Sequence, residues 1–371
     1  MTRVLIVGGG ISGLAASLVL ARQGMDVDLV ERSSRVEALG SGITLIGPAL
    51  RALDDLGVVD ECLAGGYGST QFHIRTPDGG EIANLPLHPS RPGLPGLLGM
   101  KRPQLHRILF DRAVSEGLAV RTGVSPTAIE NREDAAAVAF SDGASAEFDL
   151  VVGADGLRST VRDLVFGPVR PTFQGQACIR VILPRPAEID QEMQFHGCRY
   201  RHVGFTPIGP DSMYLYCCVP VPDATRPPQE DLPRILREYL APFGGPVAAA
   251  REHMTDPDLV NYAVLETILV DPPWHSGRTV LVGDAAHCTT PQLAAGGAMC
   301  LEDTLVLGAE LASASSIPAG LKAYSERRFD RCRYVVESSV QLSAWQILPE
   351  TPDEEQRRLF GEAVAVLAGP Y

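Results

Sequence analysis

A chain of 371 residues, 45% hydrophobic and 21% charged, has globular composition and enough length for two domains or one large interleaved one. Its formal net charge of -13, with no Lys/Arg-rich run to offset it, argues against nucleic acid as a partner. The eight cysteines form no C-x-x-C pair and the eight histidines no H-x-x-x-H, so buried free thiols and no metal are expected.

Residues 4–7 are four consecutive apolar residues and read as a buried parallel strand. G-x-G-x-x-G follows at Gly8, Gly10 and Gly13, and residues 14–23 carry a helical pattern. Gly8 allows a tight turn out of the strand, Gly10 leaves the backbone open to a pyrophosphate, and Gly13 lets the helix approach the sheet. The helix start then offers N–H groups and a positive dipole end to phosphate. Residues 27–30 form a second strand ending in Glu31, a carboxylate about 20 residues downstream that suits a ribose 2′-OH. The glycine fingerprint explains the apolar stretch 4–21 better than a signal peptide or membrane span does, so a cytoplasmic protein with no membrane partner is expected.

Residues 40–45 read as a glycine-hinged loop, and Pro48 opens a helix carrying Leu50, Leu53, Leu56 and Val59. Residues 72–87 read as two strands around the turn 77–80, and 90–99 as a Pro/Gly-rich loop. Lys101-Arg102-Pro103 starts a helix with Leu105, Ile108, Leu109 and Ala113 on one face. Residues 119–121 and 136–140 read as strands of one connected sheet, and 149–154 as a buried strand ended by Asp155-Gly156. Runs at 177–183, 200–205 and 213–221 suggest a separate antiparallel sheet. An amphipathic helix over 232–240, another buried strand ending in Gly283-Asp284, a helix over 296–311 and further helices to 367 complete the chain. The strand ends at Gly8, Asp155 and Asp284 should converge beyond the carboxyl edge of one sheet, where α/β folds bind ligands.

Together these motifs resemble the single-component FAD-dependent aromatic hydroxylases of the para-hydroxybenzoate and salicylate hydroxylase type. The resemblance rests on the N-terminal G-x-G-x-x-G, Arg102 with Leu105 and Leu109, Asp155-Gly156 with Arg158-Ser159, and Gly283-Asp284-Ala285-Ala286-His287. It also rests on the stretch 291–303, similar to P-x-x-x-Q-G-x-x-x-x-x-E-D, and on Tyr324 with Arg327-Arg328. Ala295 stands where many relatives carry Gln, and Gly47-Pro48-Ala49 where Asn is frequent. The implied fold is α/β: a Rossmann-type FAD-binding domain (1–70, 101–168, 271–335) interleaved with an antiparallel-sheet substrate domain (71–100, 169–270), then C-terminal helices (336–371).

The resemblance implies that Gly8, Gly10, Ser12 and Gly13 surround the FAD pyrophosphate, and that Glu31 holds the adenosine ribose beside Arg32. Gly42 would line the ribityl passage, Arg102 contact ribose or phosphate, and Val124 lie near adenine. Asp284 would accept ribityl hydroxyls, Asp155 link FAD to nicotinamide, and Gly296 and Gly297 aim N–H groups at the flavin N1–O2 edge. The implied reaction is NAD(P)H- and O2-dependent hydroxylation of a small aromatic or heteroaromatic substrate through a flavin hydroperoxide, with nicotinamide docking transiently. Candidate substrate-side residues are Tyr214 and Tyr216, spaced by two on one strand face, with His202 and Arg180 on neighbouring strands. A free tyrosine ionises near about 10 and a histidine near about 6.5, so histidine is the better base on paper. Alternatives are a reductase or halogenase of the same superfamily and a non-catalytic FAD-binding module. Trp274 and Trp345, the only tryptophans, cannot form the halogenase W-x-W-x-x-P signature.

Overall fold

In the computed structural model, which describes residues 1–37, 40–348, 350 and 352–371, the uninterrupted apolar runs become central strands. β1 (Arg3–Val7) leads through the glycines into α1 (Ile11–Arg22), and β2 (Asp26–Glu31) returns parallel to β1. Next come β3 (Gly42–Ile46), α2 (Gly47–Asp55), α3 (Val59–Gly65) and β4 (Tyr67–Ser69). The hairpin β5 (Gln71–Arg75) and β6 (Glu81–Pro86) precedes β7 (Leu97–Lys101), which runs straight into α4 (Arg102–Ser115). Pro103 stands in the first turn of α4, where a missing N–H costs no helical bond.

β8 (Ala119–Thr122) is followed by the meander β9 (Pro126–Asn131), β10 (Ala136–Phe140) and β11 (Ser145–Phe148), then β12 (Leu150–Gly153) and α5 (Thr160–Val165). β13 (Thr172–Pro184), β14 (Glu192–Phe195), β15 (His202–Pro207) and β16 (Ser212–Pro220) carry the aromatic-rich runs. α6 (Leu232–Tyr239), α7 (Gly245–Arg251) and β17 (Val260–Thr267) follow, then β18 (His275–Ser276) and β19 (Thr279–Leu281). The chain finishes with α8 (Asp284–His287), α9 (Gly296–Ser313), α10 (Ile317–Gln346) and α11 (Asp353–Ala368).

Two sheets dominate. The first has order β18-β19-β12-β1-β2-β8 and is parallel except for β18. Its central strands are buried on both faces, which is why they read as continuous apolar runs. The second has order β17-β13-β16-β15-β14-β5-β6. On one face Ile179, Val181, Phe195, Phe205, Leu215 and Cys217 share a core with Leu232 and Leu236 of α6. The alternate positions carry Cys178, Arg180, Glu192, Gln194, His202, Tyr214 and Tyr216 on the opposite face. Among the described residues, no helix is long and apolar enough to cross a membrane.

Three sequence expectations change. The stretch 40–45 is not all loop: Ile43, Thr44 and Ile46 have the β-branched side chains that strands favour, and β3 pairs antiparallel with β7. β7 begins inside the predicted loop 90–99 and joins β3 and β4 in a small sheet apart from the seven-stranded one. Residues 119–121 and 136–140 belong to different sheets, because β8 extends the parallel sheet while β10 pairs only within its own meander.

Candidate active site

The first part of the site is built from backbone. Gly8 has φ +107, and a Cβ there would stand 2.6 Å from the Ala154 carbonyl oxygen. A Cβ on Gly13 would meet the Gly8 carbonyl oxygen at 1.9 Å, so α1 reaches the turn only without a side chain. A Cβ on Gly10 would meet nothing within 4 Å. Beside Gly10 lies a cavity of about 260 Å³ lined by Gly9, Gly10, Ile11, Glu31, Arg102 and His106, with Val36 and Glu37 at its wall. No side chain caps α1, so its first N–H groups face this space available to an anion. This cradle fits a dinucleotide pyrophosphate.

Glu31 closes one side of the cavity. One carboxylate oxygen accepts the Gly9 N–H and the other the Ser33 N–H, both at 2.8 Å. A carboxylate has about four lone-pair positions, so acceptor capacity remains for ribose hydroxyls. The Val124 N–H donates to the Glu31 backbone carbonyl, which ties the loop after β8 to the same corner. Arg32 is exposed beside it. His106, one helical turn beyond Arg102 on α4, donates from Nε2 to the Gly9 carbonyl at 2.7 Å. It was missed from sequence, although its four-residue spacing from Arg102 was a visible signal.

The three strand ends lie side by side on β19, β12 and β1, as expected, yet their acids differ. Asp155 is committed to the start of α5: its oxygens accept the Ser159 hydroxyl at 2.5 Å and the Thr160 and Val161 N–H groups at 2.6 and 3.1 Å. This carboxylate organises the turn after β12. Asp284 is half-buried, and its carboxylate faces the Cys300 thiol at 4.0 Å and the Cys288 thiol. Ser12 is buried where α1 meets Gly283, so the β1 and β19 turns pack directly.

A buried ionic cluster fixes the β19 turn. Asp303 accepts from the Gly283 N–H at 2.8 Å, His287 at 2.6 Å and Arg328 at 2.7 Å, while Arg328 also reaches Glu302 at 2.9 Å. Burial would raise the Asp303 carboxyl, but His287 and Arg328 outweigh it and hold it at about 2. Burial would lower His287, and the Asp303 charge instead holds it well above its ordinary value. The Tyr324 hydroxyl donates to the Leu281 carbonyl at 3.1 Å. The Glu302-Asp303 and Arg327-Arg328 motifs thus latch α9 and α10 onto the end of β19. His287, Asp303 and Cys332 are close enough together to hold a metal, but Arg328 already supplies the cation there.

α9 begins at Gly296 and Gly297 without a side-chain cap, and a Cβ on either would find no atom nearer than 3.5 Å. Ile43 of β3 stands beside Gly297. Gly42 touches the other half of the site, because a Cβ there would fall 1.9 Å from the Tyr214 ring. Tyr214 bonds the Thr44 hydroxyl at 2.5 Å, and Thr44 reaches Thr206 at 3.2 Å. The turn region of the parallel sheet therefore meets the polar face of the seven-stranded sheet through β3.

On that face the structure brings all four predicted substrate-side residues together. Tyr214 and Tyr216 have ring centroids 6.0 Å apart, and His202 and Tyr216 5.5 Å apart. Arg180 is in register opposite Tyr216, near both tyrosines and the Cys178–Cys218 thiol pair, and no carboxylate pairs with it among the described residues. Burial pushes His202 down to about 4, so the expected histidine base is a neutral and weak one. Burial also pushes the Tyr214 hydroxyl up to about 12 and Tyr216 well above its ordinary range. Sequence reasoning missed Glu192. It is buried, its Oε1 lies 3.4 Å from the Tyr216 hydroxyl, its Oε2 has no hydrogen-bond partner, and burial raises it to about 8.

A parallel sheet with a glycine cradle at its carboxyl edge, facing a mixed sheet with a polar inner face, defines the fold and site of a flavoprotein hydroxylase. The comparisons agree. The FAD binding domain family matches residues 1–339. The chain is 35% identical over 312 residues to 2-heptyl-3-hydroxy-4(1H)-quinolone synthase of Pseudomonas aeruginosa, covering 82% of this chain and 79% of that protein. It is 31% identical over 367 residues to 3-amino-4-hydroxybenzoate 2-monooxygenase of Streptomyces cremeus, covering 96% and 91%. The crystal structure of Klebsiella pneumoniae HpxO complexed with FAD and uric acid superposes with TM-score 0.86 at 26% identity, covering 100% of this chain and 97% of that one. The chain belongs to the FAD binding domain family of FAD-dependent monooxygenases, and FAD is its cofactor.

Proposed function

We propose that this monooxygenase takes reducing equivalents from NAD(P)H and places one atom of dioxygen on a small aromatic or heteroaromatic ring. The ring would lie between the α9 N-terminus and the polar face of the seven-stranded sheet. The observation that carries this reading is Arg180, a cation with no carboxylate partner among the described residues, set beside two tyrosines on the inner face. The compounds in the relatives' names, a quinolone as product, an aminohydroxybenzoate as substrate and uric acid as bound ligand, are flat rings bearing oxygen or nitrogen, which is the chemistry such a face would recognise.

Bound FAD supplies the reduction by nicotinamide and the activation of oxygen. The α1 N-terminus and Gly10 would hold its pyrophosphate and Glu31 its adenosine ribose, while Asp284 retains an acceptor for ribityl hydroxyls. The uncapped start of α9 would offer N–H groups and a positive dipole end to the flavin edge that gains negative charge on reduction. Arg180 would take a ring oxygen, and Tyr214 and Tyr216 would fix the ring plane by hydrogen bonds. His202, neutral at physiological pH, would accept a proton in a hydrogen bond without carrying charge.

A panel of phenols and N-heteroaromatics, assayed with NAD(P)H and isotopically labelled dioxygen, tests the proposal. A compound that accelerates NAD(P)H oxidation and acquires one labelled oxygen supports it. Reduced product without label would point to a reductase, and no stimulation across the panel would leave an FAD-binding module without turnover.

A further inference from the structure

We propose that Glu192 is the proton acceptor behind the substrate site, acting through the Tyr216 hydroxyl, so that the ring oxidised is one that must first lose an O–H or N–H proton. This rests on the function proposed above and narrows its substrate class.

The geometry carries it. Among the described residues, Glu192 is the only acid in the set that shares the inner face with Tyr214 and Tyr216. It is 3% exposed, and its Oε2 is buried without a hydrogen-bond partner. The Tyr216 hydroxyl donates toward Oε1 at 3.4 Å and accepts from the Gln194 side-chain N–H at 3.1 Å. A side chain at Gly204 would block this arrangement, since its Cβ would stand 2.2 Å from the Tyr216 oxygen. Glycine at position 204 therefore opens the path by which Tyr216, rooted on β16, crosses β15 to reach β14. A buried carboxyl with an unused oxygen costs stability, and a structural role for Glu192 would leave no reason to keep the path open.

Two groups on this face exchange a proton near neutrality, Glu192 and the Cys178 thiol, which the bond from Cys218 lowers to about 7; of the two, Glu192 is the one bonded to the Tyr216 hydroxyl. Tyr214 and Tyr216 face it from β16 and are held protonated; His202 on β15, bonded to Gln194, is held neutral, with His196 beyond it; and Arg180 stays charged on β13. The Thr206 hydroxyl of β15 favours the Glu192 carboxylate against the effect of burial, and Thr44 of β3 bonds Thr206 in turn. β5 sets Phe72 in register with Glu192, while His73 and Arg75 align with Met193 and Phe195 of the alternate face. Burial places the Glu192 carboxyl at about 8.

The step balances without redox change. The substrate O–H or N–H proton passes to the Tyr216 oxygen as the Tyr216 proton passes to Glu192 Oε1. The ring is left anionic, paired with Arg180, and Glu192 neutral. Glu192 touches Tyr216 and not the ring, so it is a positioning residue with a proton-accepting role.

The test compares FAD-loaded wild type, Glu192→Gln and Tyr216→Phe from about pH 6 to about pH 10, a range that spans the shifted carboxyl. One readout is substrate-stimulated turnover. The other is the infrared carbonyl band of a protonated carboxyl, which needs no turnover. Wild type should show turnover rising with pH as the carboxylate forms, together with a band that fades over the same range. Glu192→Gln should lose both the band and the rising limb, with turnover down about tenfold or more, the scale of general-base assistance. Tyr216→Phe should keep the band and lose the limb. A Glu192→Gln or Tyr216→Phe enzyme with the wild-type limb overturns the inference, as does a wild-type band that does not titrate. Should Glu192→Gln fail to load FAD, Tyr216→Phe and the wild-type band decide. If no ring compound is oxygenated, the proposed function fails, while the band still reports whether Glu192 exchanges a proton there.

Discussion

The cofactor side and the substrate side of this site are made from different materials. The cradle beside Gly10 is largely backbone, glycine turns and helix-start N–H groups within residues 8–13, with Glu31, Arg102 and His106 at its sides. The proposed substrate face is side chain, assembled from β13, β14, β15 and β16 by strand register. A backbone cradle binds a group common to every turnover and tolerates little change. A side-chain face can be rewritten at one position without disturbing the fold, which suits it to setting which ring is oxidised. Substitutions on the two sides should therefore separate cofactor loading from substrate handling.

The largest effect should come from the latch that supports the cradle. Arg328→Met leaves Glu302 and Asp303 buried with less compensation, and breaking such a pair costs about 3–5 kcal/mol. Thermal unfolding should show that loss, with lower FAD content in the purified protein. The same cluster sets a pH dependence. The Asp303 carboxyl, at about 2, lies below its unfolded value of about 3.9. The stability it contributes is present above about pH 4 and is lost as pH falls toward about 2. His287, held above its ordinary value, contributes stability present below about pH 6.5 and lost as pH rises through the raised value.

Two alanine substitutions then set the regions against each other. Gly13→Ala pushes a methyl into backbone, at the Gly8 carbonyl, and should cost at least the about 1–3 kcal/mol of ordinary overpacking while emptying the cofactor site. Gly42→Ala instead meets the Tyr214 ring, a side chain of the seven-stranded sheet and not the backbone of the cradle. Absorbance of the bound flavin should show that Gly42→Ala keeps FAD, and product analysis should show poorer coupling of NAD(P)H oxidation to oxygenation. Equal FAD loss in both variants would erase the distinction.

A smaller effect is expected at Glu31→Gln. It keeps the shape but removes the charged acceptor, so FAD affinity should weaken by about 1–3 kcal/mol in a titration of apoprotein. The smallest belongs to His202→Gln. With His202 at about 4, the imidazole is neutral through the working range, and the substitution should shift turnover by about one neutral hydrogen bond, about 0.5–1.5 kcal/mol. The pH profile above about 5 should stay unchanged; a displaced profile would make His202 the base after all.

What could be read from sequence follows the same division. Gly8, Gly10, Gly13 and Glu31 are close in the chain, and their spacing alone states the geometry, so the cradle was legible. The Tyr214–Tyr216 alternation and its neighbours His202 and Arg180 were legible as a face, because a period of two survives any register. Glu192 was not, since its place beside Tyr216 depends on how β14 pairs with β15 and on Gly204 of the intervening strand β15. The bonds of Asp155 to the start of α5 were not legible, because a strand-end acid looks alike in sequence whether or not it caps the next helix. β3 and β7 were hidden by glycines that serve close packing, at Gly42 against Tyr214 and at Gly99 against the Pro207 carbonyl, and not a turn.

The most direct test of the central claim, that the polar face of the seven-stranded sheet handles the substrate independently of FAD loading, is the coupling ratio of Arg180→Met. Methionine keeps the apolar stem and removes the charge. The ratio of oxygenated product to NAD(P)H consumed is measured on FAD-saturated protein with a substrate found in the panel. The account predicts wild-type FAD content, a coupling ratio lower by about tenfold, the scale of about 1.4 kcal/mol in substrate orientation, and hydrogen peroxide in place of product. Unchanged coupling and substrate affinity in FAD-replete Arg180→Met would contradict it and move the substrate site off this face.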